Sequence, residues 1–584
     1  SKKAALAVFA SDALSSTAYA TEEVLIALIV GGWAVLHLSW PVAVCIVALL
    51  AIVATSYSQT IYAYPSGGGA YIVAKENLGV TPGLVAAAAL LIDYVLTVAV
   101  SVAAGIAAVT SAFPRLHEHR MFFCLLAIYL ILLANLRGVR ESAALFGVPV
   151  YLFVAGAYLL VIGGFVRIIM GSAQPVEPPP PDAAAAMQIP MAWLFLRAFA
   201  SGCTALTGVE AISNGVQAFK KPVSRNASLT LFWMAGILGT LFLGITGLAH
   251  FYGVTPQPHV TILSQINEAV FGRGALYYLI QAATMAILIL AANTSFADFP
   301  RLSSILAKDR FAPRQLANLG DRLVFSNGVI LLALSASVLI VGFSGEVHRL
   351  IPLYMVGVFI SFTLSQAGMV VHWLRTRGTG YRWRMALNAV GTVTTLVVLI
   401  VVSIVKFTHG AYVVLIAIPA LVVVFRKVRS HYFQLTRQLS LSEFEQPQMA
   451  RHTVIIPVSP TPNRVVLTAV AYAKSISEDV LAVTVNVDGQ NREELQQGWS
   501  RHVRDVALVV LDSPYRSVLP LLLRFIDQVE DLRPEDKITV LLPEFVPARL
   551  WHNLLHNQVS LLLKGALLFR RNIVVTSVPY HLEK

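Results

Sequence analysis

Ser11-Asp12-Ala13-Leu14-Ser15-Ser16-Thr17-Ala18-Tyr19 is a polar break, with a carboxylate in it, inside the first long apolar stretch of the chain. A charged side chain at bilayer depth costs roughly 2.5–3.5 kcal/mol on insertion scales, so it has either a partner or a task. Asp12 has no basic neighbour within the stretch. Its partner is therefore distant in sequence, or is something the protein binds.

That the stretch lies at bilayer depth follows from the composition around it. The 584 residues are 57% hydrophobic and 13% charged, with a mean hydropathy of +0.70. This is far too apolar for a soluble protein of this length and describes a polytopic membrane protein. The formal net charge of +12 raises the question of nucleic acid, but a basic excess on one side of a membrane is the ordinary signature of topology. No nucleic-acid partner is expected. Cys45, Cys124 and Cys203 stand far apart in apolar segments and read as packing residues, not as a zinc site or a disulfide framework. The chain starts at Ser1 and its opening segment lacks the small-residue cleavage site of a secretory signal, so an upstream tail is expected.

Twelve apolar runs are long enough to span: 4–30, 39–62, 83–111, 121–136, 147–170, 191–218, 227–251, 274–300, 324–343, 349–374, 386–405 and 410–425. With residue 1 inside, the inward loops collect Lys75, Arg137, Arg140, Lys220, Lys221, Arg225, Arg301, Lys308, Arg310, Arg314, Arg375 and Arg382 among others. The outward loops hold few cations, such as Arg115, Arg120 and Arg273. Both termini are then expected in the cytoplasm. The outward segment from Pro175 to Pro181 is rich in proline and alanine and reads as irregular.

A second span is interrupted like the first. Thr204-Ala205-Leu206-Thr207-Gly208-Val209-Glu210-Ala211-Ile212-Ser213-Asn214-Gly215 breaks the sixth run with small polar residues and one acid. Broken helices at corresponding places in two halves point to a transport site at the midplane, with spans 1 to 5 and 6 to 10 as the two repeats. Amphipathic stretches after span 2 (Pro65 to Leu78) and before span 8 (His259 to Phe271) fit the same symmetry.

Past residue 425 the composition changes. A polar segment, 426–450, leads to short apolar runs at 453–459, 479–487, 505–512, 537–543 and 572–578, with helical patterns near 463–477, 491–500, 517–532 and 547–569 between them. Such alternation predicts an open α/β sheet with parallel strands over 451–584, a cytoplasmic domain.

Three acids are read inside spans: Asp12, Glu210 and Asp93. Asp93, Thr97 and Ser101 recur every four residues, which stacks a carboxylate and two hydroxyls on one helical face. Singly, a membrane-helix Ser or Thr commonly bonds its own backbone. Aligned behind a carboxylate and beside two broken helices, these form an oxygen-lined stripe. Arg197, the one cation within span 6, lies thirteen positions before Glu210, roughly 20 Å along a helix at 1.5 Å per residue, and is expected to snorkel outward. Carboxylates, hydroxyls and freed carbonyls without a fixed cation suit a bound alkali or alkaline-earth ion, or else protonation of the acids.

These residues resemble a known family. The twelve runs, Pro65-Ser66-Gly67-Gly68-Gly69-Ala70-Tyr71 and Gly208-Val209-Glu210-Ala211 resemble the APC superfamily, whose fold is the LeuT-type five-plus-five inverted repeat. Ser11-Asp12-Ala13-Leu14-Ser15-Ser16 with Tyr19, followed by Asp93, Thr97 and Ser101, resembles the KimA branch of the KUP-type potassium transporters. The resemblance covers essentially the whole chain. It implies an all-α membrane domain of twelve helices (1–425) and a cytoplasmic domain like a universal stress protein (451–584). It implies potassium uptake with proton symport by a homodimer in the bacterial plasma membrane. It implies further that Asp12, Tyr19, Asp93, Thr97, Ser101, Thr207 and Tyr354 line the potassium path and that Glu210 carries the coupling proton. No cofactor is implied, potassium being the cargo, while inhibition by cyclic di-AMP or another nucleotide is. One departure stands out: nucleotide-binding universal stress proteins carry a late glycine-rich phosphate loop, and between Lys537 and Tyr580 this chain has only Gly565.

Two other readings compete. Amino-acid permeases of the same fold unwind span 1 at a glycine-containing segment that receives the substrate carboxylate. Here no glycine stands there and Asp12 repels a carboxylate, leaving a cationic amine as the alternative substrate. A potassium sensor built on a transporter fold is the second rival. No hydrolase or nucleophile constellation is present, so no enzyme is expected.

Overall fold

The apolar runs fold into helices, as they must where no water is available to take up backbone hydrogen bonds. The computed structural model describes residues 6, 9–65, 67, 69–138, 143–173, 189–318, 325–378, 380–440, 451–459, 461–487, 491–513, 517–546 and 559–582. In chain order the helices of the first part are α1 (Ser11–Ser15), α2 (Ala20–Ile29), α3 (Ser39–Ala63), α4 (Ala70–Leu78), α5 (Val80–Ala112), α6 (Arg120–Leu136), α7 (Ala143–Ile169) and α8 (Met191–Gly202). They continue as α9 (Ala211–Asn214), α10 (Val223–Phe251), α11 (Ile262–Phe271), α12 (Ala275–Lys308), α13 (Ser326–Gly342), α14 (Val347–Thr376), α15 (Tyr381–Val405) and α16 (Ala411–Gln438).

Among the described residues ten helical segments are long and apolar enough to cross a membrane. Two of the twelve expected spans do not reach that measure. The first is broken into short pieces between Ser11 and Ile29, and most of its opening residues lie outside the described ones. The other, α13, has 17 residues. The two amphipathic stretches are α4 and α11, and the hydroxyl of Thr261 caps α11 by accepting from the Ser264 amide at 3.3 Å. The proline-rich segment from Pro175 to Pro181 lies outside the described residues.

Burial is unequal. The apolar windows of α5 and α14 are 78% and 83% buried, whereas those of Pro114–Leu136 and Gly147–Ile169 are 17% and 22% buried. α5 packs against α12 and α14 and so forms the centre of the bundle. The two interrupted spans meet, α2 lying against α8 and the first break against the second.

The chain divides into two compact units, Ser1–Leu439 and Ser440–Lys584. α16 runs on to Gln438, so the described beginning of the polar 426–450 segment is helical, and 441–450 lies outside the described residues. The second unit is a five-stranded, all-parallel sheet of β1 (His452–Pro457), β2 (Asp479–Asn486), β3 (Ala507–Asp512), β4 (Lys537–Val546) and β5 (Ile573–His581), in the order β3-β2-β1-β4-β5. Between the strands run α17 (Arg464–Ile476), α18 (Arg492–Ser500), α19 (Leu519–Leu532) and α20 (Val559–Leu567). Of the expected 547–569 helix, 547–558 lies outside the described residues.

Both faces of the sheet are covered, which is why its strands read as continuous apolar runs. Val454, Ile456 and Leu541 pack with Val466, Ala469 and Trp499 on one face. Ile455, Val540 and Leu542 pack with Ile526 and Leu563 on the other. The leucine run at the end of the chain is split between core and surface. Leu563 is 1% exposed, while Leu561 and Leu562 are 64% and 59% exposed.

Candidate functional site

The first break is made by hydroxyls. Ser15, Ser16 and Thr17 donate to the carbonyls of Asp12, Ala13 and Leu14 at 2.7, 2.6 and 2.7 Å, offering the backbone an alternative to the helix ladder. α1 gives way to a tight turn over 16–18, and Tyr19 leaves helical geometry at φ −126°. The Ser16 hydroxyl also reaches the Ala205 carbonyl, at 3.2 Å, in the second break.

That second break starts after α8 with a tight turn over 203–206, continues through extended Thr207 and turns at Gly208, φ +76°. Only glycine fits at 208, for two reasons. The left-handed φ disfavours a side chain, and a Cβ there would lie 2.7 Å from both the Asp12 Oδ2 and the Ala13 amide nitrogen. The backbone of one break thus rests directly on the carboxylate of the other.

Asp12, Tyr19, Asp93, Thr97, Ser101, Thr207, Glu210 and Tyr354 are all buried, none more than 8% exposed. The Tyr19 phenol lies close to Thr207, whose hydroxyl donates to the Thr204 carbonyl at 2.9 Å. Thr97 on α5 and Tyr354 on α14 share a 2.7 Å hydrogen bond between their hydroxyls. Among the described residues the charged groups acting on Asp12 and Asp93 are acids: Asp298 on the first, Glu210 and Asp12 on the second. Asp93 Oδ1 is buried with no hydrogen-bond partner among the described residues. An unsatisfied carboxylate oxygen in such a place calls for a proton or a cation.

Sequence reading missed the residues that hold Glu210. Ser361 on α14 donates to its Oε2 at 3.1 Å, and the Tyr57 hydroxyl on α3 approaches the same atom at 3.5 Å. Nothing in a lone Ser or Tyr of an apolar run singles it out. Counting three acids within spans was also too few. Glu22 and Glu23 on α2 and Asp298 on α12 lie within helices as well, Glu22 and Glu23 being buried and facing His348. A buried cation was missed too: Lys406, just past α15, is 7% exposed and donates to the Ser201 hydroxyl at 2.5 Å. Arg197 is half-buried and stands 3.4 Å from His409.

The glycines of the Pro65–Tyr71 motif serve close approach. A Cβ on Gly67 would stand 3.2 Å from the Asn214 carbonyl and one on Gly69 3.0 Å from Asn214 Oδ1. The turn therefore seats on the end of α9, beside a cavity of about 130 Å³ that Asp298, Arg301 and Tyr94 also line. Ser66 and Gly68 lie outside the described residues. Among the described residues no group of three or more His, Cys, Asp or Glu could hold a metal ion.

In the second unit a cavity of about 390 Å³ opens at the carboxyl ends of β1, β2 and β4, lined by Pro457, Ser459, Asn486 and Pro543. The strand order reverses between β1 and β4. Open α/β sheets bind ligands in that crevice.

Comparison with known proteins gives three matches. Residues 2–425 match the family described as amino acid permease, and residues 450–580 match the family described as KimA potassium transporter C-terminal domain. The chain is 43% identical, over 589 aligned residues, to the potassium transporter KimA of Bacillus subtilis (strain 168), covering 100% of this chain and 96% of that protein.

Proposed function

The chain belongs to the family of KimA potassium transporters, and from that membership we propose that it takes up potassium by alternating access, driven by proton symport. It is a membrane transporter and not an enzyme. One observation carries the ionic reading: Asp12 and Asp93 are buried, the charged groups acting on them among the described residues are acids, and Asp93 keeps an oxygen without a hydrogen-bond partner among those residues. A site of that charge attracts a cation and repels a substrate carboxylate.

In this reading potassium exchanges its hydration shell for Asp12, Asp93 and the hydroxyls of Tyr19, Thr97, Ser101, Thr207 and Tyr354, together with carbonyls freed at the two breaks. Glu210, in the second break and near the other carboxylates, carries the coupling proton. The first broken span and α13 complete a bundle of twelve, since 17 residues is the short end of the spanning range of roughly 17–25. The LeuT-type inverted repeat, a homodimer in a bacterial plasma membrane, and both termini in the cytoplasm complete the proposal. The universal-stress-protein likeness of 451–584 and a cyclic di-AMP or other nucleotide regulator at its switch-point cavity belong to it as well.

A proton-coupled amine or amino-acid permease draws support from the match of residues 2–425. A potassium sensor would share the site but move no ions. Reconstituted protein challenged with potassium, rubidium, sodium and amino acids separates all three. Rubidium and potassium flux that grows with an inward proton gradient is the expected result. Flux of an amine but not of potassium, or a conformational response without flux, would overturn the reading.

A further inference from the structure

A cluster of titratable groups lies apart from the potassium site, at the end of the bundle where α14 starts. His348, in the first turn of α14, stands between two carboxylates of α2: Nδ1 is 2.6 Å from Glu23 Oε1 and Nε2 is 3.3 Å from Glu22 Oε1. A carboxylate only accepts, so both ring nitrogens are satisfied at once only when both carry a proton. The pair of glutamates thus builds a seat for an imidazolium.

The exposure of the three side chains is graded. His348 is 46% exposed while Glu22 and Glu23 are 9% and 4% exposed. The imidazole faces a vestibule of about 410 Å³, into which His117, Arg120, His259 and Glu346 also project. A second cavity, of about 30 Å³, shares Glu22, His348 and Thr261 with the vestibule and reaches Tyr19. It has room for a single water and polar groups to bind it. Tyr19, which lines this cavity, lies close to Thr207, three residues before Glu210. The second Glu22 oxygen is pinned by the Ile262 amide at 3.2 Å.

We propose that His348, clamped between Glu22 and Glu23, is the group that loads protons from the vestibule and passes them towards the potassium site. The inference rests on the proton-coupled reading above. A vestibule proton adds to neutral His348. The imidazolium then gives a proton to Glu22, leaving a neutral ring and a carboxylic acid. Glu22 returns to the carboxylate by giving its proton to a water taken up in the second cavity, which passes a proton on towards Glu210, the final acceptor. The remaining charged groups have other partners: Glu346 is held by Arg120 at 2.7 Å and by Arg349 at 2.5 Å, while Lys406 donates to the Ser201 hydroxyl; the proton moves by way of Glu22 because Glu22 is the glutamate that lines the second cavity.

The test uses the full chain in potassium-depleted cells and in proteoliposomes, with the pH of the vestibule side varied. His348→Gln keeps a hydrogen-bonding side chain without a titrating group, and Glu22→Gln keeps the seat without the acceptor. Both should lose on the order of tenfold in uptake driven by a proton gradient and flatten its pH profile, while rubidium-for-potassium exchange, which moves no net proton, persists. A merely structural ion pair would lower exchange and driven uptake together and leave the pH profile in place, and that result would overturn the proposal. If His348→Gln has lost exchange, Glu22→Gln decides by the same readout. Wild-type uptake driven by protons, with both variants driven equally well, sinks the loading site and spares the symport. Wild-type uptake indifferent to the gradient sinks both.

Discussion

Asp12 is the residue on which the ion reading turns, because its carboxylate is buried and the charged groups acting on it among the described residues are acids. Asp12→Asn keeps the shape and removes the charge. It should weaken apparent potassium affinity by at least tenfold, about 1.4 kcal/mol, in protein that still inserts; wild-type affinity and rate in this variant would rule Asp12 out as a ligand. Gly208 gives a second residue-scale prediction. Gly208→Ala adds left-handed strain of roughly 1–2 kcal/mol and sets a methyl on the Asp12 carboxylate. Uptake should collapse while the thermal transition of the purified protein falls only modestly. Asp12, Asp93 and Glu210 were legible in the sequence because an acid in an apolar run is conspicuous. Tyr57 and Ser361 were not, since what marks them is proximity to Glu210 across 153 and 151 residues. Glu22 and Glu23 lie in the first apolar run and were as conspicuous as Asp12; what the sequence hid was their partner, His348, 325 residues from Glu23.

Elements matter where two of them share one group. Glu210 is held by α3 through Tyr57 and by α14 through Ser361, so its protonation is tied to how those helices sit around the second break. If Glu210 is the coupling acid, Glu210→Gln should uncouple or abolish uptake. Tyr57→Phe combined with Ser361→Ala should shift proton dependence in the same direction with a smaller loss, each hydrogen bond contributing about 1.5–3 kcal/mol to a charged acceptor. Measuring the rubidium accumulated per unit of imposed proton gradient checks both, and coupling unchanged in both variants would remove Glu210 from the role. The breaks themselves were readable, because hydroxyl-rich interruptions compete with the helix ladder wherever they occur. The continuation of α16 to Gln438 was not, because a polar helix beyond the apolar run carries no hydropathy signal. Strands of the second unit stood out as short apolar runs, since both sheet faces are covered.

At the scale of the whole molecule, every proposed ligand falls between Asp12 and Tyr354, in the first of the two units. The second unit offers Leu561, Leu562, Leu568 and Phe569 as exposed apolar side chains, a surface suited to self-association. Replacing Leu561 and Leu562 by Glu should lower the oligomeric mass in detergent while leaving the preference for potassium over sodium unchanged; an altered preference would contradict the division between the units. The unequal burial of the helices has a consequence for the surrounding lipid. α5 and α14 carry Asp93, Thr97, Ser101 and Tyr354 and are about four-fifths enclosed, while Pro114–Leu136 and Gly147–Ile169 turn most of their surface outward. A bilayer-soluble carbene should decorate those two outer segments and leave α5 and α14 unlabelled. Acyl-chain length would then reach the ion path only through this outer jacket, altering turnover without altering which cation is carried.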